Sequence, residues 1–184
     1  MEHLISSINS SIKDKNWYGA LAISLSIPDI CSKINDGTKT TGKKYASWFN
    51  EYVGIHYLSK YPEPLLQKVL EYSTKEDYLN LKKPRFTGND CYALRCAYLH
   101  EGIGEISSQR AREVLDEILF VEPSNEMELH GSIVNNKLIL RIDEFCSHIL
   151  TGVEVWKRQL NLEQKARLSS FLLVKNVFEV ARNC

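Results

Sequence analysis

The sequence predicts a mainly α-helical bundle with a small antiparallel β-hairpin or sheet inserted near residues 119–142. Three features support this. Apolar residues recur every three or four positions through most of the chain, as on the buried stripe of an amphipathic helix. Near residues 119–142 that repeat gives way to short apolar runs around Asn135-Asn136, the pattern of strands joined by a tight turn. Hydrophobic residues make up 43% of the 184, which is enough for a core, and no internal repeat or low-complexity segment is visible. Residues 1–184 are therefore expected to form a single domain.

In chain order, His3–Lys13 places Leu4, Ile5, Ile8 and Ile12 at helical spacing. Trp17–Ile27 is largely apolar and reads as a helix buried on more than one side. Pro28 is expected to disturb it, with Asp29 capping a short continuation through Ile30 and Ile34. Asn35–Gly42 is rich in turn formers and reads as a loop. The third helix is expected over about 43–60, with one stripe of Tyr45, Trp48, Phe49, Tyr52, Ile55 and Leu58 or Tyr57. Pro62 and Pro64 end it. A short helix at Leu65–Tyr72, a polar turn near Ser73–Asp77 and a basic loop at Lys82–Gly88 follow. Asn89 or Asp90 then offers an N-cap for the helix that contains Arg95. Leu119–Glu122, Leu129–Val134 and Lys137–Ile142 read as strands. Asp143 could cap a helix whose apolar side holds Phe145, Ile149, Val153 and Trp156, and Leu162–Ala181 closes the chain.

Lys+Arg and Asp+Glu are each 23, so net charge is zero and a strongly basic nucleic-acid sponge is excluded. Any contact with nucleic acid must use a local basic patch. Neither a membrane-spanning run nor a secretory leader is read from the sequence. Five scattered cysteines without a CxxC spacing read as reduced, mostly buried thiols of a cytoplasmic protein. There is no phosphate-binding glycine loop, HExxH, GxSxG or zinc-finger spacing, which argues against the corresponding nucleotidases, metalloproteases and hydrolases. No cofactor and no metal are expected.

The stretch DCYALRCAYLHEG, Asp90–Gly102, carries the most chemistry. It reads as one helix bearing Arg95 and His100 and closed by Gly102. A histidine titrates near neutrality and can move a proton, and an arginine can grip a phosphate with a fork of donors. On an ideal helix the two lie about 140° apart, so one helix does not aim both at one point. Two copies of the helix facing each other across a two-fold axis can. The bland alternative remains open on the residues: Arg95 paired with Asp90 or Glu101 on the surface, and His100 stabilising a helix C-terminus. Spacing alone does not decide, because Arg141 and His148 match the same loose pattern with six residues between them.

The run Leu94-Arg95 to His100-Glu101-Gly102 resembles the signature helix of the HEPN superfamily, an Arg and a His separated by about four to six residues. The wider pattern, ALAISLSIPDIC at Ala20–Cys31, the Lys43–Tyr52 helix and CYALRCAYLHEG, is similar to small uncharacterised bacterial proteins related to that family. The resemblance implies a compact helical bundle that dimerises, and metal-independent endoribonuclease activity, often in toxin–antitoxin or anti-phage systems. It casts His100 as general acid or base at a ribose 2′-hydroxyl or leaving oxygen, and Arg95 as the phosphate clamp. RNA and an antitoxin protein are the partners it implies, with a homodimer and no membrane. Many family members carry a polar residue directly after the Arg, where this chain has Cys96. Some members are non-catalytic binding modules, so a protein- or nucleotide-binding helical module is the alternative.

Other residues admit two readings each. Lys43, Lys44, Lys82, Lys83 and Arg85, with Lys39, could form an RNA track beside the Arg–His helix, or be solvated loop charge. The aromatic stripe of Tyr45, Trp48, Phe49 and Tyr52 could stack bases, or form core. Asp29, next to Pro28, could approach an active centre, or cap a helix. Arg141 is expected to end a strand, which spoils its geometry with His148, and His56 is read as a packed or half-exposed residue.

Overall fold

The computed structural model describes residues 1–58, 84–100, 117–124 and 129–171, with His100 described by its backbone alone. Among the described residues, the order is α1 (Glu2–Lys13), α2 (Trp17–Asp36), α3 (Gly42–Tyr52), a 3-10 turn (Gly54–Tyr57), α4 (Gly88–His100), β1 (Ile118–Val121), β2 (Ser132–Val134), β3 (Lys137–Arg141), α5 (Ile142–Gln159) and α6 (Leu162–Ser169). The fold is mainly α with a small sheet. The expected helix at 65–72, the turn at 73–77, the glycines at 102 and 104 and the chain beyond 171 lie outside the described residues.

Helix α2 runs unbroken for 20 residues and carries Pro28 inside it, so the expected break there is corrected. Proline removes one donor and crowds the carbonyl four residues earlier. Here Ile27, Cys31 and Ile34 are buried on the core side, and the Tyr45 hydroxyl donates to the Leu25 carbonyl at 2.9 Å, beside the carbonyl that Pro28 leaves without its amide. Packing and one buried hydrogen bond thus hold a helix that local chemistry disfavours. At its far end Gly37, φ +72°, forms a left-handed cap, and Arg167 of α6 donates to the carbonyls of Ile34 at 2.7 Å and Asn35 at 2.8 Å.

Helix α3 starts one residue earlier than expected, with Thr41 as its cap, and ends at Tyr52 rather than continuing to residue 60. Tyr45, Trp48 and Phe49 are buried, so the aromatic stripe is core. From Gly54 the chain tightens to a 3-10 turn that buries Tyr57 rather than its alternative Leu58, and leaves Ile55 exposed, against the expectation for Ile55.

Helix α4 is capped by Thr87, not by Asn89 or Asp90. The Thr87 amide donates to the Asp90 carboxylate at 2.9 Å and the Asp90 amide donates to the Thr87 hydroxyl at 3.3 Å, a reciprocal box across the first turn. Gly88 lets α4 approach α3 closely: a Cβ there would collide with the Ala46 carbonyl oxygen and lie 2.6 Å from the Ala46 Cα. Cys91, Leu94 and Ala97 then face the core.

The sheet has order β1-β3-β2 and is mixed, a correction to the antiparallel expectation. β2 and β3 form the expected hairpin, Ser132 opposite Ile139, and Asn135 (φ +49°) and Asn136 (φ +62°) make its turn. β1 instead runs parallel to β3, Ile118 beside Leu138. Leu138, Ile139 and Leu140 of the central strand are buried. Helix α5 follows β3 directly and buries Phe145, Ile149, Val153 and Trp156, the expected stripe. Asp143 does not cap it: Arg141 occupies the cap position and Asp143 lies in the first turn. No helix among the described residues is long and apolar enough to cross a membrane.

Candidate functional site on helices α2 and α4

Arg95 projects from α4 next to the buried stripe and meets Asp29 of α2, Nη2 to Oδ2 at 2.9 Å. Their side chains are only 22% and 24% exposed, so water screens the pair less than a surface pair. Asp29 is therefore neither a helix cap nor a surface group. It is a mid-helix carboxylate at the proline, and it joins two of the three segments that carry the family resemblance. Burial opposes the Arg95 charge, yet Asp29, Cys96 and Tyr45 outweigh it and raise the Arg95 pKa.

The ground beneath the pair is buried and closely packed. Tyr45, fully buried, stands with its oxygen 3.4 Å from Cys91 Sγ while donating to Leu25. Burial pushes the Cys91 thiol up to about 12 and the Tyr45 phenol well above its ordinary value, so both stay neutral at physiological pH. Tyr92, one turn before Arg95, packs its ring against Tyr45 and lies where a Cβ on Gly42 would be 2.6 Å away. The Thr40 hydroxyl donates to the Asp29 carbonyl at 2.9 Å, which ties the α2–α3 loop to the same place.

Among the described residues, those expected at the site fall in different surroundings. Arg95 meets Asp29, a partner not among those expected; of the expected surface partners, Asp90 is engaged in the α4 cap and Glu101 lies outside the described residues. The backbone of α4 runs through His100, whose side chain is likewise outside the described residues. Lys43 is exposed and follows Gly42, whose backbone packs against the Tyr92 ring. Lys44 is held by Asp36 at 2.5 Å and by the Thr38 hydroxyl. Arg85 donates to the Gly131 carbonyl at 2.6 Å, at the turn before β2. Lys82 and Lys83 lie outside the described residues. The four described cysteines, Cys31, Cys91, Cys96 and Cys146, are free thiols.

A second polar cluster was not predicted as a unit. His130, from the turn before β2, and Glu144 and His148 of α5 bring one ligand-type atom each within 4.8 Å of one another. Tyr57 and His56 close around them: the Tyr57 oxygen is 3.3 Å from His148 Nδ1, and the His56 ring stacks on His148 at 4.0 Å. The Glu144/His148 spacing of four on one helix was the available signal. His130 joins only through the hairpin, which no local pattern announces. Arg141 ends β3 as expected, and its guanidinium turns to Asp143 at 2.8 Å and Glu144 at 2.9 Å.

No family model, curated protein or solved structure matches this chain.

Proposed function

We propose that this chain is a HEPN-like protein that acts as a homodimer on RNA, as a metal-independent endoribonuclease in a bacterial defence or toxin–antitoxin setting. The observation that carries the reading is the Asp29–Arg95 pair. It links the Arg–His helix to the Ala20–Cys31 segment, another of the three that carry the resemblance, and it holds the guanidinium in place. Asp29 positions Arg95, and the arginine presents a planar fork of donors suited to a phosphate. His100, five residues on along the same helix, supplies the proton transfer. Because positions 95 and 100 lie about 140° apart on an ideal helix, each working pair takes its arginine from one protomer and its histidine from the other. Lys43, exposed in the first turn of α3, extends the phosphate-binding surface.

The test is cleavage of a labelled RNA panel by purified protein in the presence of a chelator. Wild type is expected to cut, and Arg95→Ala and His100→Ala to lose about 100-fold or more while keeping a cooperative fold and the dimer mass. Wild-type protein that cuts nothing in the panel, or variants that cut as wild type does, would contradict the reading. The second reading, a non-catalytic module of the same fold, is favoured by one observation: Arg95 is already engaged by a carboxylate and is followed by Cys96 where many HEPN relatives have a polar residue. A partner that co-purifies with protein lacking cleavage activity would support it.

A further inference from the structure

We propose that His130, Glu144 and His148 form a binding site for a divalent transition-metal ion of the zinc class. These residues are separate from Arg95 and His100, and the site does not depend on the RNA reading.

The three donors come from two directions. Glu144 and His148 are one helical turn apart on α5 and share a face. His130 reaches them from the turn where Gly131 takes φ +72°, and it is 4% exposed. The donor atoms all lie within 4.8 Å of one another, and His130 Nδ1 is 3.9 Å from Glu144 Oε2. A zinc ion with bonds of about 2.0–2.2 Å needs tetrahedral donors roughly 3.3–3.5 Å apart, so shifts of about an ångström close the site. Two imidazoles and a carboxylate suit zinc, cobalt or nickel and do not suit magnesium or calcium, which prefer all-oxygen shells.

The surroundings fit a bound cation. Tyr57 oxygen, 3.3 Å from His148 Nδ1, can accept that nitrogen's proton and leave Nε2 as the ligand, the usual outer-shell arrangement of a metal histidine. Arg141 is a nearby positive charge, and Asp143 and Glu144 both lie against it, so the local balance of these three is one negative charge. His56 stacks face to face with His148, an interplanar angle of 4°, and this parallel stacking keeps its in-plane nitrogens from sharing His148's ion. Three protein donors leave a fourth position for water, as in open zinc sites.

One hydrogen bond must change. His130 Nδ1 accepts the Arg141 amide proton at 3.1 Å. Coordination through Nδ1 takes that lone pair, and coordination through Nε2 puts the ring proton on Nδ1, so in either case the Arg141 amide loses its acceptor. Metal binding therefore carries a signature at a backbone amide at the end of β3.

The experiment is calorimetric titration of the chelator-stripped full chain with zinc chloride, with magnesium chloride as control, alongside amide hydrogen exchange. One zinc per chain in the micromolar range is expected, with no magnesium binding. Glu144→Gln and His148→Ala should each weaken binding ten-fold or more, and Tyr57→Phe about ten-fold. Exchange at the Arg141 amide should quicken on loading. His130→Ala empties a buried position and can unfold the hairpin, so the assignment rests on the other variants, each checked for native circular dichroism. Zinc that does not bind, that binds equally to both α5 variants, or that leaves the Arg141 amide unchanged overturns the proposal. A thiolate charge-transfer band on cobalt substitution would place the ion on cysteine and overturn it also.

Discussion

Arg95/His100 and Arg141/His148 satisfy the same loose sequence pattern, and the structure uses their arginines in opposite ways. Arg95 lies inside a continuous helix, so its guanidinium reaches sideways to another element and finds Asp29 of α2. Arg141 is the last residue of a strand, so its guanidinium folds back on the first turn of its own following helix, onto Asp143 and Glu144. His148 then packs among Tyr57, His56 and His130. An Arg–His spacing therefore has chemical meaning only together with its backbone type. A helix between the two residues sets their angle; a strand-to-helix junction does not.

Prying apart the scaffold of the first region should cost the most. Gly88→Ala drives a Cβ into the Ala46 carbonyl oxygen and places it 2.6 Å from the Ala46 Cα, so α4 must move off α3. A loss of about 3 kcal/mol in urea unfolding is expected, the upper end for overpacking. The His148 cluster, on α5, should keep its hydrogen-exchange protection under mild conditions. A Gly88→Ala variant as stable as wild type would refute the idea that close α3–α4 packing places Arg95.

Next in size is the contrast between the two arginine pairs. Asp29→Ala strips a carboxylate from a guanidinium that is held between two helices, and about 2 kcal/mol of stability should be lost. Asp143→Ala should cost roughly 0.5 kcal/mol, because Arg141 keeps Glu144 at 2.9 Å. Double-mutant cycles with Arg95→Met and Arg141→Met measure the two couplings directly. Equal coupling energies would erase the distinction.

Tyr45→Phe probes how Pro28 is tolerated. It removes the hydroxyl that serves the Leu25 carbonyl in a fully buried place, at an expected cost of about 1–1.5 kcal/mol. The smallest effect is at the basic rim. Lys44, followed by Thr38, holds the Asp36 carboxyl down at about 2, below its ordinary 3.8. A depressed carboxyl contributes stability that is full above its unfolded pKa and lost as pH falls through the folded one, here from near 4 toward 2. Asp36→Asn should flatten that part of the acid limb of a melting-temperature profile and leave neutral pH almost unchanged. A steeper limb in the variant would reverse the sign.

The helical elements were legible because their apolar spacing is regular: Ile8 in α1, and Phe145, Ile149, Val153 and Trp156 in α5, are buried where the period puts them. The Asn135-Asn136 turn was legible because both residues tolerate positive φ. What was not legible depends on distant partners. Pro28 breaks no helix because Tyr45, far along the chain, serves a carbonyl beside the gap. Asp29 is not a cap because Arg95 waits on another helix. β1 runs parallel to β3 because of a connection no local pattern encodes, and the same hairpin that orders β3 carries His130 to Glu144 and His148. Thr87 caps α4 through its reciprocal bonds with Asp90, a box that TGND at Thr87–Asp90 displays once Thr87 is taken as the cap.

The proposed RNA site is completed by a second copy of the chain, and subunit mixing shows whether that is so. Arg95→Ala and His100→Ala proteins, each inactive alone, are unfolded together, refolded and assayed on an RNA that wild type cuts. Random pairing makes half the dimers mixed, and each mixed dimer holds one intact site of two, so recovery of about a quarter of wild-type cleavage is expected. A mixture no more active than the two variants apart would contradict it.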